Sequence, residues 1–83
     1  MRFDVALFEL RLFKSRTQAQ ESIETGAALL NGARRKPSHD VRAGDRITLL
    51  AGGGTRRTLE VLDLPKRSLS RTAAKELLRE VAE

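Results

Sequence analysis

Cysteine, tryptophan and tyrosine are absent from this sequence, and histidine occurs once. Without cysteine there are no disulfides, and a single histidine cannot complete a structural zinc site. No apolar run approaches the roughly 20 residues that cross a bilayer. Asp4 and Glu9 interrupt the apolar N-terminal stretch, which therefore lacks the pattern of a signal peptide. We expect a soluble, cytoplasmic protein with no metal and no membrane association.

The residue patterns of enzyme active sites are also missing. Ser38, His39 and Asp40 are adjacent, whereas the members of a catalytic triad converge in space from separate parts of a chain. The run Gly52–Gly54 is followed by Thr55, where a phosphate-binding loop would supply its Gly-Lys pair. The sequence therefore predicts no catalytic residue, no cofactor and no small-molecule substrate.

Charge is unevenly distributed along the 83 residues, a length that suits one small domain. Residues 1–58 hold 11 basic and 6 acidic side chains, and residues 59–83 hold 5 of each. The whole excess of +5 thus lies in the first part of the chain. A one-sided excess favours nucleic acid or an anionic membrane surface as partner; the alternative is a solvated surface rich in arginine.

Two short amphipathic helices are predicted near the N-terminus. Apolar residues recur at helical spacing from Phe3 to Leu10 and predict a helix over residues 3–12. Ser15 then begins a capping box of the Ser-x-x-Gln kind, which predicts a second helix over residues 16–25. A glycine follows that helix and is typical of a helix C-terminus.

The pattern then changes to that of a small antiparallel sheet. Ala27–Leu30 is extended and apolar, and Asn31-Gly32 predicts a two-residue hairpin turn. We expect residues 33–36 to form the returning strand, and further strands over residues 46–51 and 58–64.

The C-terminal segment has apolar residues at every fourth position from Leu69 to Val81. This spacing predicts a third amphipathic helix over residues 69–82. We therefore expect two parts, a domain over residues 1–65 and a C-terminal helix over residues 66–83.

Two basic clusters contain no acidic residue. One surrounds the junction of the two N-terminal helices, where the positive end of the second helix dipole adds to the charge. The other lies on the predicted returning strand, where alternation would put Arg34 and Lys36 on one face and Arg35 on the other. If the second helix packs beside the hairpin, the clusters merge into one face aimed at a polyanion. Their members are Arg11, Lys14 and Arg16, then Arg34, Arg35 and Lys36.

Motif residues then occur in order over about residues 2–50. They are Arg2-x-Asp4-x-x-Leu7, Leu12-Phe13-Lys14-Ser15-Arg16, Ala19, Ile23, Gly26, Asn31-Gly32, Pro37-Ser38, Val41 and Gly44-Asp45. In these residues the chain resembles the S-four RNA-binding domain family, and in its size it is similar to the stand-alone members of heat shock and ribosome quality control. The resemblance implies an α+β fold, the alpha-L motif, with two helices packed on a small antiparallel sheet and a C-terminal helix outside the motif.

The resemblance also implies a function and its residues. Arg2, Lys14 and Arg16 fall on positions that touch RNA, Arg11 matches the arginine before the second helix, and Asp4 orients a nearby arginine. The implied protein is a non-catalytic monomer that binds large-subunit ribosomal RNA, and tRNA, in ribosome rescue or nascent-chain quality control. The chain departs from the stand-alone members at Val5, where they carry a lysine.

Two other functions compete with this one. In the first, the stripe of Leu69, Leu77 and Val81 on the third helix is the surface of a protein-interaction module. In the second, the chain is a detached accessory domain of an RNA-modifying enzyme; its beginning at a methionine argues against this. Generic DNA binding is a further alternative.

Overall fold

The structure, a computed structural model, describes residues 1–65 and 71–81. Within them, three helices accompany a four-stranded antiparallel sheet whose strands follow one another in chain order. This architecture confirms the predicted α+β class. The elements are α1 Phe3–Glu9, α2 Arg16–Glu24, β1 Ala28–Leu30, β2 Arg46–Leu50, β3 Arg56–Val61, α3 Arg71–Lys75 and β4 Leu78–Val81.

The two N-terminal helices pack against each other and begin where the sequence predicts. Ser15 caps α2, because its Oγ accepts a hydrogen bond from the amide of Gln18 at 3.1 Å. Helix α1 is shorter than the predicted 3–12. Arg11 adopts a φ of 61°, a left-handed conformation in which an α-helix does not continue.

Two structural constraints favour glycine just after the end of helix α2, at Gly26. Gly26 has a φ of +83°, where a side chain is strained. A Cβ on Gly26 would also lie 3.2 Å from Nε of Arg34. That arginine donates from Nη2 to the carbonyl oxygen of Glu24 at 2.6 Å, which satisfies an orphan carbonyl at the helix end.

The prediction of a returning strand over residues 33–36 is wrong. Leu30 and Ala33 exchange two backbone hydrogen bonds across the predicted Asn31-Gly32 turn, but the pairing stops there. Residues 34–36 adopt no strand, and β1 pairs with β2 instead. The chain turns away because the carbonyl oxygens of Pro37 and His39 accept hydrogen bonds from the first amides of α1.

The prediction of a long C-terminal helix is also wrong. Helix α3 ends at Lys75, and Leu78–Val81 forms the edge strand β4, paired antiparallel with β3. Leu69, the first residue of the predicted stripe, lies outside the described residues. Segment 78–81 reads apolar, charged, charged, apolar, and its charged side chains find cross-strand partners that a free helix would not provide.

The hydrophobic core lies between the helices and one face of the sheet. Neighbouring strands place Ile47 opposite Leu59 on this face, and both are buried. The opposite face carries Thr48 and Thr58, whose hydroxyls lie 3.1 Å apart, and the pair of Arg79 with Glu60. The predicted anchors Phe3, Leu7, Leu10, Ile23 and Val41 are all buried.

Replacing Gly26 with alanine tests how α2 ends. We expect Gly26→Ala to lower the free energy of unfolding by more than the roughly 1–2 kcal/mol of left-handed backbone strain, because the new methyl also displaces Arg34. Gly32→Ala is the matched control, since its φ is +77° but no atom lies within 4 Å of the new methyl. Urea unfolding of both variants measures the difference, and equal losses would contradict the role of Arg34.

Candidate nucleic-acid interface

A buried carboxylate joins the two N-terminal helices. Asp4 has no exposed surface, and both of its oxygens accept hydrogen bonds from Arg2, from Nε and from Nη2, each at 3.0 Å. The Nε2 atom of Gln20 on α2 donates to the same carboxylate at 2.8 Å, as does the amide of Val5. Asp4 thus holds Arg2, half-exposed, against α2 in one orientation.

The environment of Asp4 favours its charged form. Burial by itself raises the pKa of the carboxyl group, but hydrogen bonds from Arg2, Gln20 and Val5, together with the charge of Arg2, outweigh it. The net result is a pKa below the ordinary value for aspartate. Asp4 therefore stays ionised at neutral pH, and the guanidinium of Arg2 keeps its bidentate partner.

One side of α2 carries the positions that organise the cations. Arg16, Gln20 and Glu24 are spaced four residues apart and therefore lie on one side of the helix. Gln20 meets the carboxylate that holds Arg2, and the carbonyl of Glu24 meets Arg34. Arg2 consequently lies beside Gln20 on this side, Arg16 lies at the start of the helix, and Arg34 lies at its C-terminal end. The first turn of α2 contains no acidic residue, so nothing there neutralises the positive end of its dipole.

The loop after the hairpin follows the same side of α2. It begins at Arg34, bound at the end of α2, and reaches Pro37, whose carbonyl oxygen accepts from the amide of Asp4 at 3.1 Å. Arg35 and Lys36 lie between these two points and are exposed. The structure thus replaces the predicted alternation on a strand with a loop that runs from one helix to the other.

The remaining predicted cations lie in the connection between α1 and α2. Arg11 and Lys14 are exposed, and with Leu12 and Phe13 they line a shallow depression. Lys14 directly precedes the first turn of α2, so it extends the row that starts at Arg16. We call the row along α2 the cationic edge; its members are Arg2, Lys14, Arg16, Arg34, Arg35 and Lys36.

Asn31 and Asp45 fix the two turns on either side of the loop that precedes β2. The side chain of Asn31 accepts a hydrogen bond from the amide of Arg46 at 2.9 Å and donates to Asp45 at 3.2 Å. Asp45 also accepts from the amide of Arg42. The sequence predicted a turn at Asn31-Gly32, which the structure confirms, and these contacts join that turn to the motif residue Asp45. The sequence did not identify Gln20 as a partner of Asp4. The position of Gln20 one helical turn after Arg16 was the available signal.

The described residues carry no metal-binding cluster and no membrane-spanning helix. Among the described residues, no group of three or more His, Cys, Asp and Glu side chains is placed to hold a metal ion. His39 is exposed. Across residues 1–65 and 71–81, no helix is both long and apolar enough to cross a membrane.

Asp4→Asn tests the buried carboxylate. We expect a loss of about 1–3 kcal/mol in the free energy of unfolding at neutral pH, because charged hydrogen bonds are replaced by neutral ones. Since folding lowers the pKa of Asp4, its contribution is present above the unfolded pKa and disappears as pH falls through the folded value. The difference between wild type and variant should therefore shrink below about pH 4.

Denaturant unfolding across a pH series measures this difference. Asp40→Asn is the control, because Asp40 is 57% exposed and pairs with Arg42 at the surface. Folding also lowers the pKa of Asp40, through the N-terminal amine and Arg42. Its removal should nonetheless change stability less than removal of Asp4. A difference for Asp4→Asn that is constant from pH 7 to pH 3 would contradict the argument.

Two curated proteins are similar to the first part of this chain. The RQC P-site tRNA stabilizing factor of Bacillus subtilis (strain 168) is 42% identical over 52 residues, which are 63% of this chain and 60% of that protein. The factor of the same name from Listeria innocua serovar 6a is 40% identical over 52 residues, 63% and 56% of the two chains. The match thus spans less than two thirds of the length of these relatives.

Solved structures are similar over the whole chain. Heat Shock Protein 15 of Vibrio cholerae, solved as a trimer, gives a TM-score of 0.89 at 33% identity, over 99% of this chain and 82% of that one. The hypothetical protein HP1423 gives a TM-score of 0.82 at 30% identity, over 100% of this chain and 99% of that one. The family model of the S4 domain, written S-four above, matches residues 1–47, which are more than half of the chain. This protein therefore belongs to the S4 domain family.

Proposed function

We propose that this protein is a non-catalytic RNA-binding protein of the cytoplasm. It binds structured RNA of the large ribosomal subunit, together with tRNA, in ribosome rescue or nascent-chain quality control. The observation that carries the proposal is the cationic edge, which brings cations from three parts of the sequence to the start of α2, to Gln20 and to the C-terminal end of α2. The names of the curated relatives support tRNA as part of the ligand.

The shape of the edge suits phosphates rather than bases. Its charged groups lie at the surface, and Arg2 is held in place so that little side-chain freedom is lost on binding. Phe3 is buried, and Phe8 and Phe13 are partly buried, so no phenylalanine is fully exposed as a stacking platform. Recognition through backbone and shape is what structured RNA offers to such a surface.

The residues of the edge have different parts in this proposal. Arg16 adds its charge to the positive end of α2, where an RNA phosphate meets both. Arg34 donates one hydrogen bond to the carbonyl oxygen of Glu24, and this contact positions the loop that carries Arg35 and Lys36. Arg2 presents a guanidinium that Asp4 has already oriented. Lys14 extends the edge ahead of the N-cap Ser15 of α2, and Arg11, outside the edge, adds a cation next to it.

The proposal of a protein-interaction module loses its structural basis. Its stripe required Leu77 and Val81 on one helix, but Leu77 follows α3 and Val81 belongs to β4. Leu77 is half-buried and packs against the core. These two residues therefore do not form one exposed helical surface.

Removal of one edge cation tests RNA binding. We expect Arg16→Ala to weaken binding to purified large ribosomal subunits and to tRNA by about 1–3 kcal/mol, and to reduce the slope of log affinity against log salt by about 1, because one phosphate contact is lost. Filter binding over a salt series measures both quantities. Circular dichroism checks that the variant remains folded, as expected for an exposed residue.

Arg79→Ala is the matched control for this experiment. It removes the same charge from the opposite face of the sheet, where Arg79 pairs with Glu60. We expect it to change binding much less than Arg16→Ala does. Wild-type affinity that stays constant from low to moderate salt would overturn the proposal, as would equal effects of the two variants. Equal competition by duplex DNA would indicate generic DNA binding.

A further inference from the structure

A groove lies beside the cationic edge, between the end of α1 and the strands β3 and β4. Its volume is about 410 Å³, within the roughly 300–1,000 Å³ of pockets that hold small ligands. None of the residues assigned above to RNA binding lines it except Arg11. The lining residues are Leu10, Arg11, Leu12, Arg57, Leu59, Lys75, Leu78 and Glu80.

The groove has an apolar floor and a positive rim. Its leucines are buried or half-buried and form the floor. Arg11, Arg57 and Lys75 bring three positive charges to the rim, and Glu80 brings one negative charge. A flat, mostly apolar ring that carries an anionic group complements such a surface, and a nucleotide is a ligand of this kind.

A carboxylate fixes one of the rim cations. Glu80 of β4 accepts a hydrogen bond from Nε of Arg57 on β3 at 2.5 Å. This contact holds the plane of the guanidinium at the groove, and nucleic-acid bases stack on arginine planes as they do on aromatic rings. The groove thus offers a stacking surface in a chain whose three phenylalanines are buried or partly buried.

The groove is continuous with the cationic edge. Arg11 and Leu12 line both the groove and the depression that contains Lys14. Arg11 has a left-handed backbone that ends α1, with the amide of Leu12 donating to the carbonyl oxygen of Leu7, and this turn brings Arg11 to the mouth of the groove. A ligand that follows the edge past Lys14 therefore reaches the groove at Arg11.

We propose that this groove holds one unpaired nucleotide of the RNA that lies along the cationic edge. The base contacts Leu12, Leu78 and the plane of Arg57, and its phosphate lies at Arg11 and Lys75. The inference rests on the proposed RNA binding and adds to it a preference for stems with an unpaired nucleotide. The surface reads the presence of that nucleotide rather than a sequence, since the floor offers no polar side chain to identify the base.

Two RNA hairpins that share one stem and differ by a single bulged nucleotide test the groove. We expect wild-type protein to prefer the bulged hairpin by roughly fivefold or more, the effect of one stacked base. Lys75→Gln should remove most of this preference. Arg79→Gln, which removes the same charge on the other face of the sheet, should leave it intact. Fluorescence anisotropy measures the affinity of each of the three proteins for each hairpin, and circular dichroism confirms folding.

Methyl resonances give a second, independent readout. Titration of adenosine 5′-monophosphate should shift the methyl signals of Leu12 and Leu78, and Lys75→Gln should reduce those shifts. Equal affinity of wild-type protein for the two hairpins would overturn the groove, as would equal effects of Lys75→Gln and Arg79→Gln. Shifts produced by an acidic peptide and not by the nucleotide would also overturn it, in favour of a protein ligand.

Failure of the groove is separable from failure of the proposed function. Arg16→Ala should weaken binding to both hairpins alike, because its site is the shared stem. If Arg16→Ala has this effect and the bulge confers no preference, RNA binding stands and the groove is overturned. If Arg16→Ala leaves both affinities unchanged while the bulge preference depends on Lys75, the groove is supported and the cationic edge is overturned.

Discussion

The burial of one carboxylate constrains most of this structure. An ionised aspartate without partners is costly inside a protein, so Asp4 requires the donors that surround it. Those donors come from Arg2, from the backbone of α1 and from Gln20 on α2, and the amide of Asp4 itself bonds to Pro37. A single residue thus fixes the angle between two helices, the orientation of a surface arginine and the path of a loop.

Local features of the fold were predictable because short-range interactions decide them. The start of α2 follows from the capping serine, and the hairpin turn follows from Asn31-Gly32. The loop at residues 34–36 and the strand β4 were not predictable from local pattern, which indicated a returning strand and a long helix there instead. The loop that follows residues 34–36 is held by hydrogen bonds to the first amides of α1, and segment 78–81 pairs with β3. In each case the partner is distant in sequence. Tertiary partners overrode periodicity in each case.

The candidate site shows the same division. Charge and motif identified the cations, and the structure brings those of the cationic edge to α2, from its start to its C-terminal end. The roles of the connecting groups depend on contacts across the chain: Gln20 meets Asp4 from another helix, and Arg34 meets the backbone of Glu24. No sequence pattern distinguishes an arginine that closes a helix from one that faces solvent. The groove beside β4 was not predicted, because the sequence indicated a helix where β4 supplies Leu78 and Glu80 to its lining.

The order of strands in the sheet has a consequence for how the protein forms. Each strand pairs with its neighbour in the chain, and the short connection of residues 51–55 between β2 and β3 closes at small entropic cost, whereas residues 31–45 and 62–77 form longer connections. Short-range pairing is associated with fast folding. The cations of the edge precede β2, and the partners that hold them lie within residues 2–40. During synthesis these residues therefore leave the ribosome before the two strands that border the groove.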